Sequence, residues 1–314
     1  MFHIPLPPSL VARQYAPVLT YHACLKACPD DIAVEDNITP GFLYEHLDAL
    51  RRLWRFVPID EFSETTNRKG IAAVTFDDGY KSVIHNALPV LTALDIPCTI
   101  FINLIGINQK VFWRHKVMRV IASGLQQECE ASFTHIRKLP GQSFYHYLKH
   151  PANDSRISEL EIDRFIQSKN LAPKISNHLV DDLSYFLDHP LVWYGNHSSN
   201  HYVLSSLSLE EQRKEILETD AFLRRLKHIK RSLAFSLPFG ESHHVNHDTL
   251  SALKDLGYKS LLMNRGRLNR LRAARHDPLP VVERFSPGSE PIGSLIAKEF
   301  VRTVVSAPFH LVLS

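Results

Sequence analysis

The sequence has almost no excess of either charge: 36 lysines and arginines stand against 33 aspartates and glutamates in 314 residues, a formal net charge of +3. A balance this close gives no broad field for nucleic acid or an anionic membrane, so neither is expected as a partner. Cysteine is scarce, with Cys24, Cys28, Cys98 and Cys129 making up the four. Cys24 and Cys28 form a C-x3-C pair with no second pair nearby, short of the four ligands of a structural zinc site, and nothing requires a disulfide. Cys98 lies in an apolar run and reads as core. No stretch approaches the roughly 18 consecutive apolar residues of a membrane span. The opening residues lack the basic-then-apolar order of an export signal, which gives the expectation of a cytoplasmic protein with no transmembrane segment. No internal repeat or low-complexity tract is evident. What is present is ordinary for a globular chain, 44% hydrophobic and 22% charged. Its length buries one large core, or one core and a small insertion.

Short apolar runs alternate with helical patterns. Val18-Leu19-Thr20-Tyr21-His22 reads as a strand, and Thr39-Pro40 opens a helix with proline at its first position. Further strands are expected at residues 71–76, 98–102, 191–194, 233–236, 260–263 and 280–282. Ser208 with Glu211 three residues on gives a capping-box start to a helix, and another helix stops at Gly257. Between residues 112 and 189 the alternation ceases, and helical stretches around 117–129, 143–149 and 157–167 suggest an insertion. The expected organisation is therefore a parallel α/β unit from residues 1–111 and 190–314, interrupted by a helical insertion at 112–189.

Working residues in such folds lie at the carboxyl ends of strands. There the sequence places His22, Asp77-Asp78-Gly79, Asn196 to His201, and Ser236-Leu237-Pro238-Phe239-Gly240. Two adjacent carboxylates at a buried strand end are costly unless a cation compensates; one can bind a metal while the other acts as a base. The competing reading is an ordinary Asp-Asp-Gly turn with Gly79 at positive φ. His197 and His201, four apart, share a face if the segment is helical, so both rings can reach one ion; a polar surface turn is the alternative in a chain with 18 histidines. With Asp78 they make three ligands, the number of an open catalytic site. Pro238-Phe239-Gly240 has no reactive side chain, but its backbone can aim an N–H at a developing oxyanion. Asp277 and Arg284 flank the last strand, where Arg284 either orients a carboxylate or forms a surface ion pair.

At these residues the sequence resembles the polysaccharide deacetylase family, carbohydrate esterase family 4, which carries the NodB-homology domain. Thr75-Phe76-Asp77-Asp78-Gly79-Tyr80 is similar to the first family motif, Gly195-Asn196-His197-Ser198-Ser199-Asn200-His201 to the second, Phe235 to Gly240 to the third, and Val282-Glu283-Arg284 to the fourth. The resemblance implies a distorted (β/α) barrel holding one divalent metal on Asp78, His197 and His201. Zinc is the expected ion, although cobalt, nickel and iron suit the same ligands. It also implies Asp77 as the base that activates water and the Phe239 N–H as an oxyanion donor. Two departures stand out. The arginine that opens the third motif and braces the base is replaced here by Ser236, which leaves Arg284 as the candidate brace. The late histidine that serves as general acid has only His310 as a counterpart, near the chain end. His22 is the better candidate, because relatives with a permuted motif order carry this histidine on the first strand and lack the same arginine.

The implied activity is hydrolysis of an N-acyl group, acetyl in the family, from a sugar within a glycan, a lipid-linked glycan or a nucleotide sugar. An O-acetyl esterase or deformylase would use the same site. A catalytically silent carbohydrate-binding barrel is the third reading, disfavoured because Asp77, Asp78, His197 and His201 are all present.

Overall fold

The computed structural model describes residues 8–172, 175–272 and 279–305. Seven strands, β1 (Val18–Tyr21), β2 (Ile71–Phe76), β3 (Cys98–Ile102), β4 (Val192–Asn196), β5 (Lys230–Ser236), β6 (Ser260–Asn264) and β7 (Val281–Arg284), lie side by side in chain order. Every neighbouring pair is parallel. Beyond β7 the chain returns to β1: Leu19 bridges Phe285 in parallel, Thr20 N–H donates to Phe285 O at 2.9 Å, and Phe285 N–H donates to Val18 O at 3.2 Å. The sheet is thus a nearly closed barrel, which leaves few unpaired edge groups. All six residues of β2 are buried, which explains why its sequence runs apolar without alternation. Gly195 in β4 is required by close packing, since a Cβ there would lie 2.3 Å from the Phe101 ring.

Helices α1 (Pro40–Arg51), α2 (Leu88–Leu94), α7 (Leu209–Arg225), α8 (His247–Asp255) and α9 (Ile292–Val305) follow barrel strands or the loops beside them. The Thr39 hydroxyl accepts from Phe42 N–H at the start of α1, and Ser208 and Glu211 form the reciprocal box that starts α7. Residues 112–189 hold α3 (Trp113–Ala122), α4 (Gln126–Ser132), α5 (Phe144–Leu148) and α6 (Ser155–Ser168). The helical stretch expected at 117–129 is divided into α3 and α4, because Gly124 takes φ 69° between them. Phe112, Trp113, Tyr147, Leu148 and Phe165 belong to the same buried apolar cluster as Leu19, Val74 and Ile100 of the barrel. Among the described residues no helix is long and apolar enough to cross a membrane.

Candidate metal and catalytic site

The carboxyl ends of the strands open into a cavity of about 230 Å³, lined among others by His22, Asp77, His197, His201, Phe239 and Arg284. The sequence reading singled out each of these residues, and the fold brings them together from β1, β2, β4, β5 and β7. Asp277 and His310 lie outside the described residues.

At the end of β2 the chain turns through two successive left-handed residues, Asp78 (φ 68°) and Gly79 (φ 73°). Glycine adopts this region freely, but an aspartate there is strained, and such strain concentrates at working sites. The turn separates the two carboxylates into different surroundings. Asp78 is fully buried, and its Oδ1 lies 3.5 Å from His197 Nε2 and 3.3 Å from His201 Nε2. One ligating atom from each of the three residues falls within 4.8 Å of the others. His197 Nδ1 is tied to Ser236 O at 2.8 Å, which leaves Nε2 facing Asp78.

The electrostatics of this trio ask for a cation. Asp78 Oδ1 is buried and has no hydrogen-bond partner among the described residues. Burial pushes the Asp78 carboxyl up and both imidazoles down, so the rings are neutral and able to ligate. A divalent ion would satisfy the orphaned oxygen and keep Asp78 ionised, so the donor set fits a metal.

Asp77 is held differently. Arg284 Nη1 and Nη2 donate to its two oxygens at 2.9 and 2.8 Å, and the Ser236 hydroxyl lies 3.1 Å from both. Burial alone would raise the Asp77 carboxyl, but the Arg284 guanidinium, with His197, holds it well below the ordinary carboxylate range. Arg284 is itself fully buried and also donates to Thr75 Oγ1 at 3.1 Å and to Ser236 Oγ at 2.8 Å. Ser236 thus accepts from the guanidinium that β7 supplies while its own hydroxyl faces the same aspartate.

His197 and His201 do not lie on a helix, the condition under which their spacing would put both rings on one face. Residues 197–201 form an irregular turn with Ser198 at φ 60° and His201 at φ 54°, and it is this reversal that points both rings inward. Phe239 is also left-handed at φ 64°. Its ring packs edge-on against His201 with centroids 4.6 Å apart, and its N–H donates to no group among the described residues.

His22 lines the cavity beside Asp36, with 3.8 Å between Nδ1 and Oδ1. Asp36, Arg114, Tyr145 and Lys149 were missed by sequence reasoning, yet all line the cavity. Arg114 joins Asp36 at 2.5 Å to the outer oxygen of Asp78 at 3.4 Å. Burial opposes ionisation of Asp36, but Arg114 and then His22 outweigh it and lower the carboxyl. The helical segment 112–189 therefore walls one side of the site. The Phe112-Trp113 pair is the one sequence cue to Arg114, since two buried aromatics at the start of α3 carry the next residue inward.

Comparison with curated protein sequences gives no match. The fold is shared with several solved structures. One is the Streptococcus pyogenes deacetylase PplD in complex with acetate (TM-score 0.55, 14% identity, covering 91% of this chain and 98% of that one). Another is IcaB from Ammonifex degensii (TM-score 0.52, 18% identity, 91% and 97% covered). A third is a de-N-acetylase from Aggregatibacter actinomycetemcomitans (TM-score 0.51, 13% identity, 88% and 95% covered). In sequence, residues 64–261 match the polysaccharide deacetylase family. That match spans the Asp-Asp turn, the paired histidines and the Pro-Phe-Gly turn, and on it this chain belongs to the polysaccharide deacetylase family.

Proposed function

We propose that this protein is a metal-dependent hydrolase that removes an N-acyl group, acetyl by preference, from a sugar in a glycan, a lipid-linked glycan or a nucleotide sugar. The observation that carries the reading is the orphaned Asp78 Oδ1 facing two neutral imidazoles, beside a second carboxylate, Asp77, kept ionised by Arg284. Asp78, His197 and His201 would hold one divalent ion, zinc by preference. Such an ion supplies Lewis acidity toward an acyl oxygen and eases ionisation of water.

The remaining roles fall to the protein. Asp77 takes a proton from the attacking water, with Arg284 and Ser236 fixing its orientation. The Phe239 N–H stabilises the negative oxygen that develops on the acyl carbon. His22 returns a proton to the leaving nitrogen, with Asp36 beside it. Residues 112–189 act as an insertion in a barrel built from 1–111 and 190–314, and Arg114, Tyr145 and Lys149 shape the sugar pocket. The names of the solved neighbours, a deacetylase with acetate and a de-N-acetylase, support acetyl and nitrogen as the group and atom.

The test is metal content of the purified protein together with acetate release from N-acetylated and O-acetylated sugars. Bound metal and release from amides are expected, with release abolished in Asp77→Asn. Absence of both metal and release would overturn the reading, and release from esters alone would convert it to an O-acetyl esterase. His22→Ala is expected to reduce turnover sharply at unchanged metal content; loss of the metal would instead make His22 a ligand.

A further inference from the structure

The turn that carries His197 and His201 has no regular secondary structure to hold it, and two of its non-glycine residues are left-handed. Conformations of that kind persist only when their surroundings over-determine them. The backbone N–H groups show what does so. His197 N–H donates to Ile102 O at 2.9 Å, Ser198 N–H to Asn196 Oδ1 at 2.8 Å, and His201 N–H to Ser198 Oγ at 3.0 Å. The two that remain, on Ser199 and Asn200, converge on one atom: Oε2 of Glu215 accepts them at 3.1 and 2.8 Å. The other oxygen, Oε1, accepts from Asn200 Nδ2 at 2.7 Å. Glu215 lies on α7, is buried, and forms no ion pair among the described residues, so its charge is met by these N–H donors. A buried carboxylate is costly unless its hydrogen bonds compensate. Here those bonds all go to the segment between the two histidines.

We infer that Glu215 is a positioning residue of the metal site, its carboxylate holding the 198–201 turn in the form that directs both imidazoles at Asp78. The inference rests on the metal reading above. It assigns α7 the task that helical i, i+4 spacing does not perform here. Glu218, one turn further on, meets the turn through the Ser199 hydroxyl, at 2.9 Å, and among the described residues touches none of its backbone groups.

Titration of zinc into the metal-free protein tests this without any sugar. Glu215→Ala should weaken zinc binding about 10- to 100-fold, as loss of a ligand-orienting partner does, while circular dichroism of the metal-free variant still shows a folded chain. Glu215→Gln keeps one oxygen able to accept both N–H groups and should recover most of the loss; Glu218→Ala should bind like the unaltered protein. A purely structural role would lower the melting temperature and leave zinc affinity unmoved. Unchanged affinity in Glu215→Ala therefore overturns the inference and leaves the hydrolase reading intact. Absence of zinc binding by the unaltered protein overturns both. Should Glu215→Ala fail to fold, Glu215→Asp, which keeps the charge but withdraws it by one methylene, reads the same affinity.

Discussion

Asp77 and Asp78 are adjacent in sequence, yet their carboxylates sit in opposite fields. One is clamped by a guanidinium, and the other presents an unpaired oxygen to two neutral rings. Taking away the guanidinium should expose that division. Arg284→Met leaves Asp77 buried without its cation, and breaking a buried pair from one side costs about 3–5 kcal/mol, which urea denaturation would read. Because Arg284 lowers the Asp77 carboxyl, its removal raises that carboxyl. The acidic limb of the activity profile should then move to higher pH, since a smaller share of Asp77 is ionised at a given acidity. An unmoved limb would show that Asp77 is not the group titrating there. The carboxylates, the histidines and the candidate brace were singled out in the sequence by their place at strand ends and by the order of the motifs they resemble, since each taken alone also suits an ordinary turn or ion pair. Arg114 and Asp36 were not. A charge on a helix or in a Glu35-Asp36 loop looks solvated until the tertiary fold pairs the two.

At the scale of elements, the strands were legible for a plain reason: parallel strands covered on both faces are apolar throughout, and the helices between them carry caps at Thr39 and Ser208. The 197–201 turn was not legible, since a spacing of four fits a helix and a turn equally and the deciding partner, Glu215, lies on the next helix. Strand β4 offers a test of packing. Gly195→Ala would press a methyl into the Phe101 ring, where an ideal Cβ lies 2.3 Å away. Overpacking of this kind costs about 1–3 kcal/mol, to be measured as a lowered urea midpoint with unchanged slope. The segment 175–178 offers a second test, through pH. Burial would raise the Asp31 carboxyl, but hydrogen bonds from the His178 ring at 3.0 Å and Ser176 N–H at 2.8 Å outweigh it and lower it to about 2. A carboxyl lowered on folding adds stability that is complete above its unfolded value of about 3.9 and fades below it. The stability difference between the unaltered protein and Asp31→Asn should accordingly be full near neutrality and shrink as pH falls from about 4 toward 2. A difference independent of pH would assign the Asp31 contribution to shape rather than charge.

For the whole molecule the question is whether the helical segment 112–189 unfolds with the barrel or apart from it. Its interruption of the β/α alternation suggests an insertion, but its packing ties it to the barrel. Trp113 is buried, donates from its indole to His201 O at 3.3 Å, and meets the Phe239 ring edge-on. The surrounding aromatics are continuous with the barrel cluster rather than a core of their own. Arg114 adds a polar tie from the same helix to Asp36 and Asp78. A segment that shares its core and its charges with the barrel has little left to stabilise it once the barrel opens. The sequence holds three tryptophans, Trp54, Trp113 and Trp193. The double variant Trp54→Phe, Trp193→Phe makes Trp113 the sole indole reporter. In that variant the fluorescence midpoint in urea should coincide with the far-ultraviolet circular dichroism midpoint, the signature of one cooperative transition. A fluorescence transition at lower urea would mean that residues 112–189 detach first. The wall that supplies Arg114, Tyr145 and Lys149 would then be a separately unfolding unit laid over the barrel mouth rather than part of its core.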